Sequence, residues 1–194
     1  MGELKEVETV IIDKSFIHFA YEDGNYDLVS YSSLVEKHKN LVLVKSMSKD
    51  FGIAGIRAGY AVMNKVRVQK LLDNGFLWNS NGLSEYFFRL YVRNDFLKEY
   101  ENERIRYIME AKDFFEKLAK LPRVKIYPSK ANFALIELLS GVGADEFVTK
   151  MLIKHGVYTR TCSDKIGLEG EFIRLASRTR EQNNAILNAL SASL

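Results

Sequence analysis

The chain has 194 residues, enough for one large domain or two small ones with an ample core. Its net charge of +3 is too small to indicate a nucleic-acid partner, and its single cysteine excludes an internal disulfide. No apolar stretch approaches the ~20 residues that cross a bilayer, and the start of the chain lacks a signal-peptide pattern. We therefore expect a cytoplasmic globular protein with no membrane partner.

The first predicted element is the apolar run from Val7 to Ile12, which ends at Asp13. Its β-branched residues predict a buried central strand of a parallel sheet. A chain that opens on such a strand lacks the neighbours that the strand needs, so we expect a truncated domain. Asp13 has two interpretations, either a turn residue that ends the strand or a functional carboxylate.

The segment from Leu41 to Met63, LVLVKSMSKDFGIAGIRAGYAVM, predicts a buried strand, a polar turn, a glycine-punctuated stretch and a second apolar run. Ligands of open α/β sheets bind at the carboxyl ends of strands. There Lys49 would supply an amine nucleophile, and Ser46, Ser48 and Arg57 would supply donors suited to a phosphate. Burial and the nearby Arg57 cation would favour the free amine that such a nucleophile requires. The alternative is a solvated lysine in a loop.

Helices and strands alternate through the rest of the chain. Three helices are predicted first, at Val66 to Leu72, at Leu83 to Leu90 after the cap Asn81, and at Phe96 to Leu121. Beyond Pro122, a strand-helix-strand-strand-helix pattern predicts a small α/β or α+β unit. We therefore expect two domains, residues 1–95 and 96–194, in which the helix at 96–121 is the connection.

The pattern S-x-S-K-x-F-G-x-A-G-x-R-x-G-Y, from Ser46 to Tyr60, resembles the cofactor-lysine segment of fold-type I pyridoxal-phosphate enzymes. The closest likeness is to the histidinol-phosphate aminotransferase and threonine-phosphate decarboxylase branch of the class I/II aminotransferases. The resemblance implies that pyridoxal 5'-phosphate is the cofactor, that Lys49 bonds to it covalently, and that Ser46, Ser48 and Arg57 hold its phosphate. It also implies an α/β fold, here the C-terminal part of the family fold: a partial mixed sheet of the large domain plus the small domain.

Two further segments carry the same resemblance. Asp13 opens a D-x-x-F segment whose aspartate pairs with the pyridine nitrogen in the family, because a protonated ring is the better electron sink. Phe16 stands where many relatives have a tyrosine. The segment GFLWNSNGLSE resembles a W-N-x-N segment of bifunctional nucleotidyltransferase-aminotransferases, which implies a substrate-binding role for Asn79; the same residues also fit an ordinary helix start.

Two arginines of the C-terminal unit complete the expected site. The resemblance implies that Arg174, in F-I-R-L-A-S-R, binds the α-carboxylate of the substrate and that Arg160 binds a substrate phosphate. A planar guanidinium suits both anions, although each arginine could also be an exposed charge on an edge strand. His18 and His38 have no partner at metal-ligand spacing, so we expect no metal site.

The expected function is a pyridoxal-phosphate-dependent aminotransferase of an amino acid or a phosphorylated amino acid. A decarboxylase of the threonine-phosphate type is the near alternative, and a non-catalytic fragment or assembly module with an exposed sheet edge is the other. The family's cofactor-phosphate turn, ring-stacking aromatic and N-P-x-x-P-T-G asparagine are all expected upstream of Val7. We therefore expect weak or no stoichiometric cofactor binding by this chain alone, a small amino-acid or keto-acid substrate, and a homodimer or an N-terminal partner segment.

Overall fold

The computed structural model describes residues 6–22, 31–75 and 80–194. Two compact units divide the chain, residues 1–105 and 106–194. In chain order the helices and strands of the described residues are β1 (Val10–Asp13), α1 (Tyr31–Lys37), β2 (Leu41–Ser46), β3 (Gly59–Met63), α2 (Lys65–Asp73), α3 (Gly82–Tyr91), α4 (Asn94–Leu118), β4 (Val124–Ile126), β5 (Phe133–Leu138), α5 (Ala144–His155), β6 (Arg160–Thr161), β7 (Phe172–Ala176) and α6 (Arg180–Ser193).

This arrangement confirms the predicted α/β class. The boundary between the two units falls inside α4, between Ile105 and Arg106, whereas the domain boundary expected after residue 95 stays a prediction. None of the helices in the described ranges is long and apolar enough to span a membrane.

The first unit contains a mixed three-stranded sheet in the order β1-β2-β3. β1 runs parallel to β2, and β3 runs antiparallel to it. Alternation along β2 turns Leu41 and Leu43 inward, where they pack with Val35 of α1. Gly59 begins β3 so close to β2 that a Cβ there would lie 2.9 Å from the Lys45 carbonyl oxygen, which excludes a larger residue.

The prediction for the first strand is wrong in its bounds and its burial. β1 spans Val10–Asp13 rather than Val7 to Ile12, and among the described residues only β2 pairs with it. Ile11 and Ile12 are 65% and 43% exposed. A run of β-branched residues favours a strand, but burial depends on neighbouring elements, and the described chain supplies a neighbour on one side alone.

A second small core of the first unit lies under the segment that follows β2. Met47, Ala58 and Phe87 are its buried members, and Phe51 packs against them. Asn81 caps α3 as predicted, because its side-chain oxygen accepts a hydrogen bond from the Ser84 N–H at 2.9 Å. The polar turn and the glycine-punctuated stretch are therefore packed on α3.

The second unit is built on an antiparallel sheet in the order β4-β5-β7-β6. One face of this sheet is buried under α5, α6 and the C-terminal half of α4 in a single apolar core. β6 is only two residues long, Arg160–Thr161. The reason is that α5 ends at the left-handed Gly156, so the Val157 N–H bonds to the Met151 carbonyl and not to a strand.

Candidate active site

The predicted cofactor residues of the first unit begin at one edge of its sheet. Asp13 ends β1 and lies in register with Val44 of β2, and Ser46 ends β2 two residues later. Because the two strands are parallel, their carboxyl ends meet at the same edge. The structure thus brings Asp13 and Ser46 to the place where α/β sheets bind ligands.

A chain of hydrogen bonds joins these residues through Ser15, which the sequence reasoning missed. The Asp13 carboxylate accepts a bond from the Ser15 hydroxyl at 2.5 Å and from its N–H at 2.8 Å. The Ser15 hydroxyl accepts from the Ser46 N–H at 3.2 Å, and the Ser46 hydroxyl accepts from the Ser48 N–H at 3.2 Å. The two bonds from Ser15 lower the pKa of Asp13, so this carboxylate is ionised near neutral pH.

Lys49 lies in the turn that follows β2 and is exposed. The chain as described therefore does not bury Lys49, and burial was one of the two factors named as favouring its free amine. The reason is that other side chains take the inward positions of this turn: Met47 is fully buried, and the side chain of Asp50 is 0% exposed. Lys49 is held between two buried neighbours and presents its amine on the surface of the first unit.

Arg57 occupies a strained position directly after a short 3₁₀ helix, Ala54–Ile56. Its φ of 62° and ψ of 42° are left-handed, a conformation that costs a residue with a Cβ about 1 kcal/mol. The exposed guanidinium donates to the Ala54 carbonyl at 3.1 Å. The next residue, Ala58, is buried and accepts the Met47 N–H, which ties the arginine segment to the Lys49 turn.

Arg160 and Arg174 lie in the second unit and face each other directly across β6 and β7. Both are exposed, and the Arg174 guanidinium lies 4.8 Å from the centre of the Phe133 ring. Arg160 donates to Asp164 at 3.1 Å. Like charges directly opposite on adjacent strands repel, so two guanidinium groups at one register position suit an anionic ligand. The remaining predicted residue, Asn79, lies outside the described residues.

A buried polar cluster beneath the Lys49 turn is the main feature that sequence reasoning missed. The Asp50 carboxylate forms a salt bridge with Lys45 and lies 3.0 Å from His18 Nδ1, which is also 2.7 Å from the Tyr100 hydroxyl. Burial raises the pKa of Asp50 and lowers that of Lys45, and their mutual contact opposes both shifts. The alternation of β2 offered a signal, because position 45 falls on the inward face with Leu41 and Leu43.

His18, which the sequence analysis considered only as a metal ligand, is part of this buried cluster. Burial, reinforced by the Lys45 and Arg104 cations, lowers its pKa to about 3, so the ring is neutral at neutral pH. Arg104 donates to the His18 carbonyl at 2.6 Å and is itself 3% exposed. Among the described residues no group of His, Cys, Asp and Glu side chains could hold a metal ion.

The donors of the first unit fit pyridoxal phosphate chemically. The cofactor has a basic ring nitrogen, an aldehyde and a phosphate. Against these the sheet edge and its turns supply an ionised carboxylate at Asp13, an amine at Lys49, the hydroxyls of Ser46 and Ser48, and the guanidinium of Arg57. This donor set at the end of a strand suits the binding of pyridoxal phosphate.

The chain belongs to the aminotransferase class I and II family, whose sequence profile matches residues 6–190. Pyridoxal phosphate is the cofactor of this family. An L-serine phosphate decarboxylase of Campylobacter jejuni is 56% identical over 98% of this chain and 49% of its own length. A histidinol-phosphate aminotransferase of a Thermoanaerobacter species is 33% identical over 95% of this chain and 48% of its own length.

Among solved structures, a decarboxylase from Sulfurospirillum multivorans superposes with a TM-score of 0.90 at 50% identity. The match covers 100% of this chain and 49% of that one. The chain thus spans about half the length of the curated relatives it matches. The predicted resemblance to the histidinol-phosphate aminotransferase and threonine-phosphate decarboxylase branch is confirmed.

Proposed function

We propose that the chain is the C-terminal portion of a pyridoxal-phosphate-dependent decarboxylase that acts on L-serine phosphate or a close analogue. The observation that carries this proposal is the 56% identity to an L-serine phosphate decarboxylase across 98% of the chain. The histidinol-phosphate aminotransferase relative is 33% identical to this chain in sequence. The aminotransferase activity expected from the sequence therefore becomes the second candidate, because the residues of the site suit either reaction.

In this proposal each site residue has a chemical task. Bound pyridoxal phosphate withdraws electrons from the substrate Cα when one of its bonds breaks. Asp13 keeps a proton at the ring nitrogen, and Lys49 gives a proton to Cα after carbon dioxide leaves. Ser46, Ser48 and Arg57 bind the cofactor phosphate, for which their hydroxyl and guanidinium donors are suited.

Arg160 and Arg174 are proposed to bind the two anionic groups of the substrate. Their cross-strand register places two cations on one exposed face of the second sheet, which supports a ligand with two anionic groups. L-serine phosphate carries both a carboxylate and a phosphate. The roles of Arg174 toward the carboxylate and Arg160 toward the phosphate follow the family resemblance.

The test supplies the purified chain with pyridoxal phosphate and L-serine phosphate. A decarboxylase releases carbon dioxide and phosphoethanolamine in equal amounts, whereas an aminotransferase supplied with a keto-acid acceptor forms the corresponding phosphorylated keto acid. Lys49→Ala is the control and should abolish either product. A keto acid without carbon dioxide would contradict the decarboxylase assignment and favour the aminotransferase.

A non-catalytic module is the third candidate, and one observation favours it. β1 exposes Ile11 and Ile12 at the edge of the described sheet, where a partner strand could pair. The discriminating measurement is the visible absorption band of lysine-bound pyridoxal phosphate in the chain and in Lys49→Ala. A chain that shows neither a band nor product would favour this candidate.

A further inference from the structure

A buried salt bridge between Lys45 and Asp50 lies beneath the turn that carries Lys49. Asp50 follows Lys49 directly in the chain, and its side chain is 0% exposed. Its Oδ2 atom bonds to the Lys45 ammonium at the end of β2, and Lys45 is 2% exposed. Its Oδ1 atom accepts no hydrogen bond from any residue that the structure describes.

This pair is poorly suited to a purely stabilising role. Two charges withdrawn from water lose hydration free energy, and their mutual attraction often does not offset this loss. Well-packed apolar residues in place of such a pair often stabilise a protein as well or better. A buried pair of this kind directly under a candidate active-site turn is therefore better explained by what it positions.

The pair joins three segments that converge on the site. The Lys45 ammonium lies 3.5 Å from the Ser15 carbonyl, and Ser15 also bonds to Asp13 and to the Ser46 N–H. On the other side Asp50 lies 3.0 Å from His18, in the segment after β1. Movement of Asp50 would disturb Asp13, Ser46 and Lys49 together.

Phe51 adds a second anchor on the far side of Lys49. Its ring stacks on that of Tyr100 with a centroid distance of 4.0 Å and an interplanar angle of 16°. Before Lys49, Ser48 is buried and donates its N–H to Ser46. The backbone is thus held at residue 48 and at residues 50 and 51, and only the Lys49 side chain between them is exposed.

We propose that Asp50, through its salt bridge to Lys45, is a positioning residue that holds the Lys49 amine toward the cofactor aldehyde. This inference rests on the proposed function, in which Lys49 bonds to pyridoxal phosphate. Asp50 touches neither cofactor nor substrate in this role. It acts by fixing the backbone on the C-terminal side of Lys49.

The test measures where pyridoxal phosphate attaches. The purified chain is treated with limiting pyridoxal phosphate and borohydride, and peptide mass spectrometry gives the labelled fraction at Lys49 and at the exposed Lys154. In the wild type Lys49 should be labelled preferentially. Asp50→Asn and the uncharged pair Lys45→Met/Asp50→Asn should each reduce that preference about tenfold, because small misplacements of a reacting group are costly.

Two control variants separate positioning from stability. Asp113→Asn breaks an exposed Lys–Asp pair, Lys117 to Asp113 at 2.7 Å, and should leave the preference unchanged. Val35→Ala opens a cavity in the core of the first unit at a residue that is 2% exposed, and it should reduce unfolding stability while the preference persists. A structural role alone would instead make the preference follow stability.

The outcomes separate the two proposals. A wild type without preference for Lys49 would overturn the cofactor role of Lys49 and the positioning role with it. A preference retained in both Asp50 variants would overturn the positioning role alone. If neither variant folds, amide exchange in the wild type decides: residues 47–51 should exchange as slowly as β2, and exchange as fast as the loop at 163–169 would overturn the inference.

Discussion

The two units of the chain keep different kinds of residues in their interiors. The second unit buries one continuous apolar core between its sheet and helices, with Phe147, Met151 and Ile173 fully enclosed. The first unit has two small apolar clusters and places Lys45, Asp50 and His18 inside. Apolar burial gives stability without specifying chemistry, whereas buried polar groups fix local geometry at a cost. The buried polar groups of the first unit therefore lower its stability, and they lie beneath its candidate active site.

The largest effect is expected in the apolar core. Phe147→Ala should reduce the free energy of unfolding by about 3–5 kcal/mol, because it removes a large side chain that is 0% exposed and leaves a cavity. Urea denaturation measures this change. Ile153→Ala, on the same helix but 77% exposed, is the matched control and should change stability by less than about 0.5 kcal/mol. Equal losses in the two variants would contradict the assigned core.

The charged interior should respond differently to single and paired substitutions. Asp50→Asn leaves the buried Lys45 without its carboxylate partner and should cost about 2–3 kcal/mol, a cost that Lys45 limits because it can lose its proton. The uncharged pair Lys45→Met/Asp50→Asn should cost less than about 1 kcal/mol. A double-mutant cycle in urea measures both. Additive losses from the two positions would show that the salt bridge does not couple them.

His18 should make the first unit sensitive to acid. Its pKa is lowered to about 3 in the folded chain, below the ordinary 6.5, so the unfolded state binds the proton first as the pH falls. The contribution of the neutral His18 ring to the free energy of unfolding is present above pH 6.5 and is lost as the pH falls toward 3. The loss amounts to about 2 kcal/mol at pH 5. The raised pKa of Asp50 has the opposite effect, because the folded state then binds the proton first and gains stability as the pH falls. The effect of His18 is therefore measured against a variant that lacks His18 and keeps Asp50.

That variant is His18→Gln. Between pH 7 and pH 5 the wild type should lose about 2 kcal/mol more unfolding free energy than His18→Gln, which cannot take up the proton. Urea midpoints at several pH values give the difference. Parallel curves for the two proteins would show that His18 is not held neutral by its surroundings.

The sequence predicted what depends on neighbours along the chain. β2, β3, α2 and the cap at Asn81 lie close to where periodicity and capping chemistry placed them. The S-x-S-K pattern predicted the family, because its spacing is local. The family's roles for Lys49, Asp13 and the arginines stay predictions.

What the sequence could not predict depends on distant residues. His18 and Asp50 are separated by 32 positions, and their contact requires the parallel pairing of β1 with β2. The exposure of Ile11 and Ile12 depends on which elements flank β1. No local sequence pattern predicts this contact or this exposure, so both become known only from the three-dimensional structure.

The smallest effect on stability concerns two arginines that share a backbone conformation. Arg57 in the first unit and Arg123 in the second both have left-handed φ values, 62° and 61°. Replacing either by glycine relieves strain but increases the entropy of the unfolded chain, so each substitution should change stability by less than about 1 kcal/mol. Only Arg57→Gly should also weaken binding of pyridoxal phosphate, because of these two arginines only Arg57 is proposed to hold the cofactor phosphate. Equal loss of binding in Arg123→Gly, measured by equilibrium dialysis, would mean that neither arginine acts through direct contact with the cofactor.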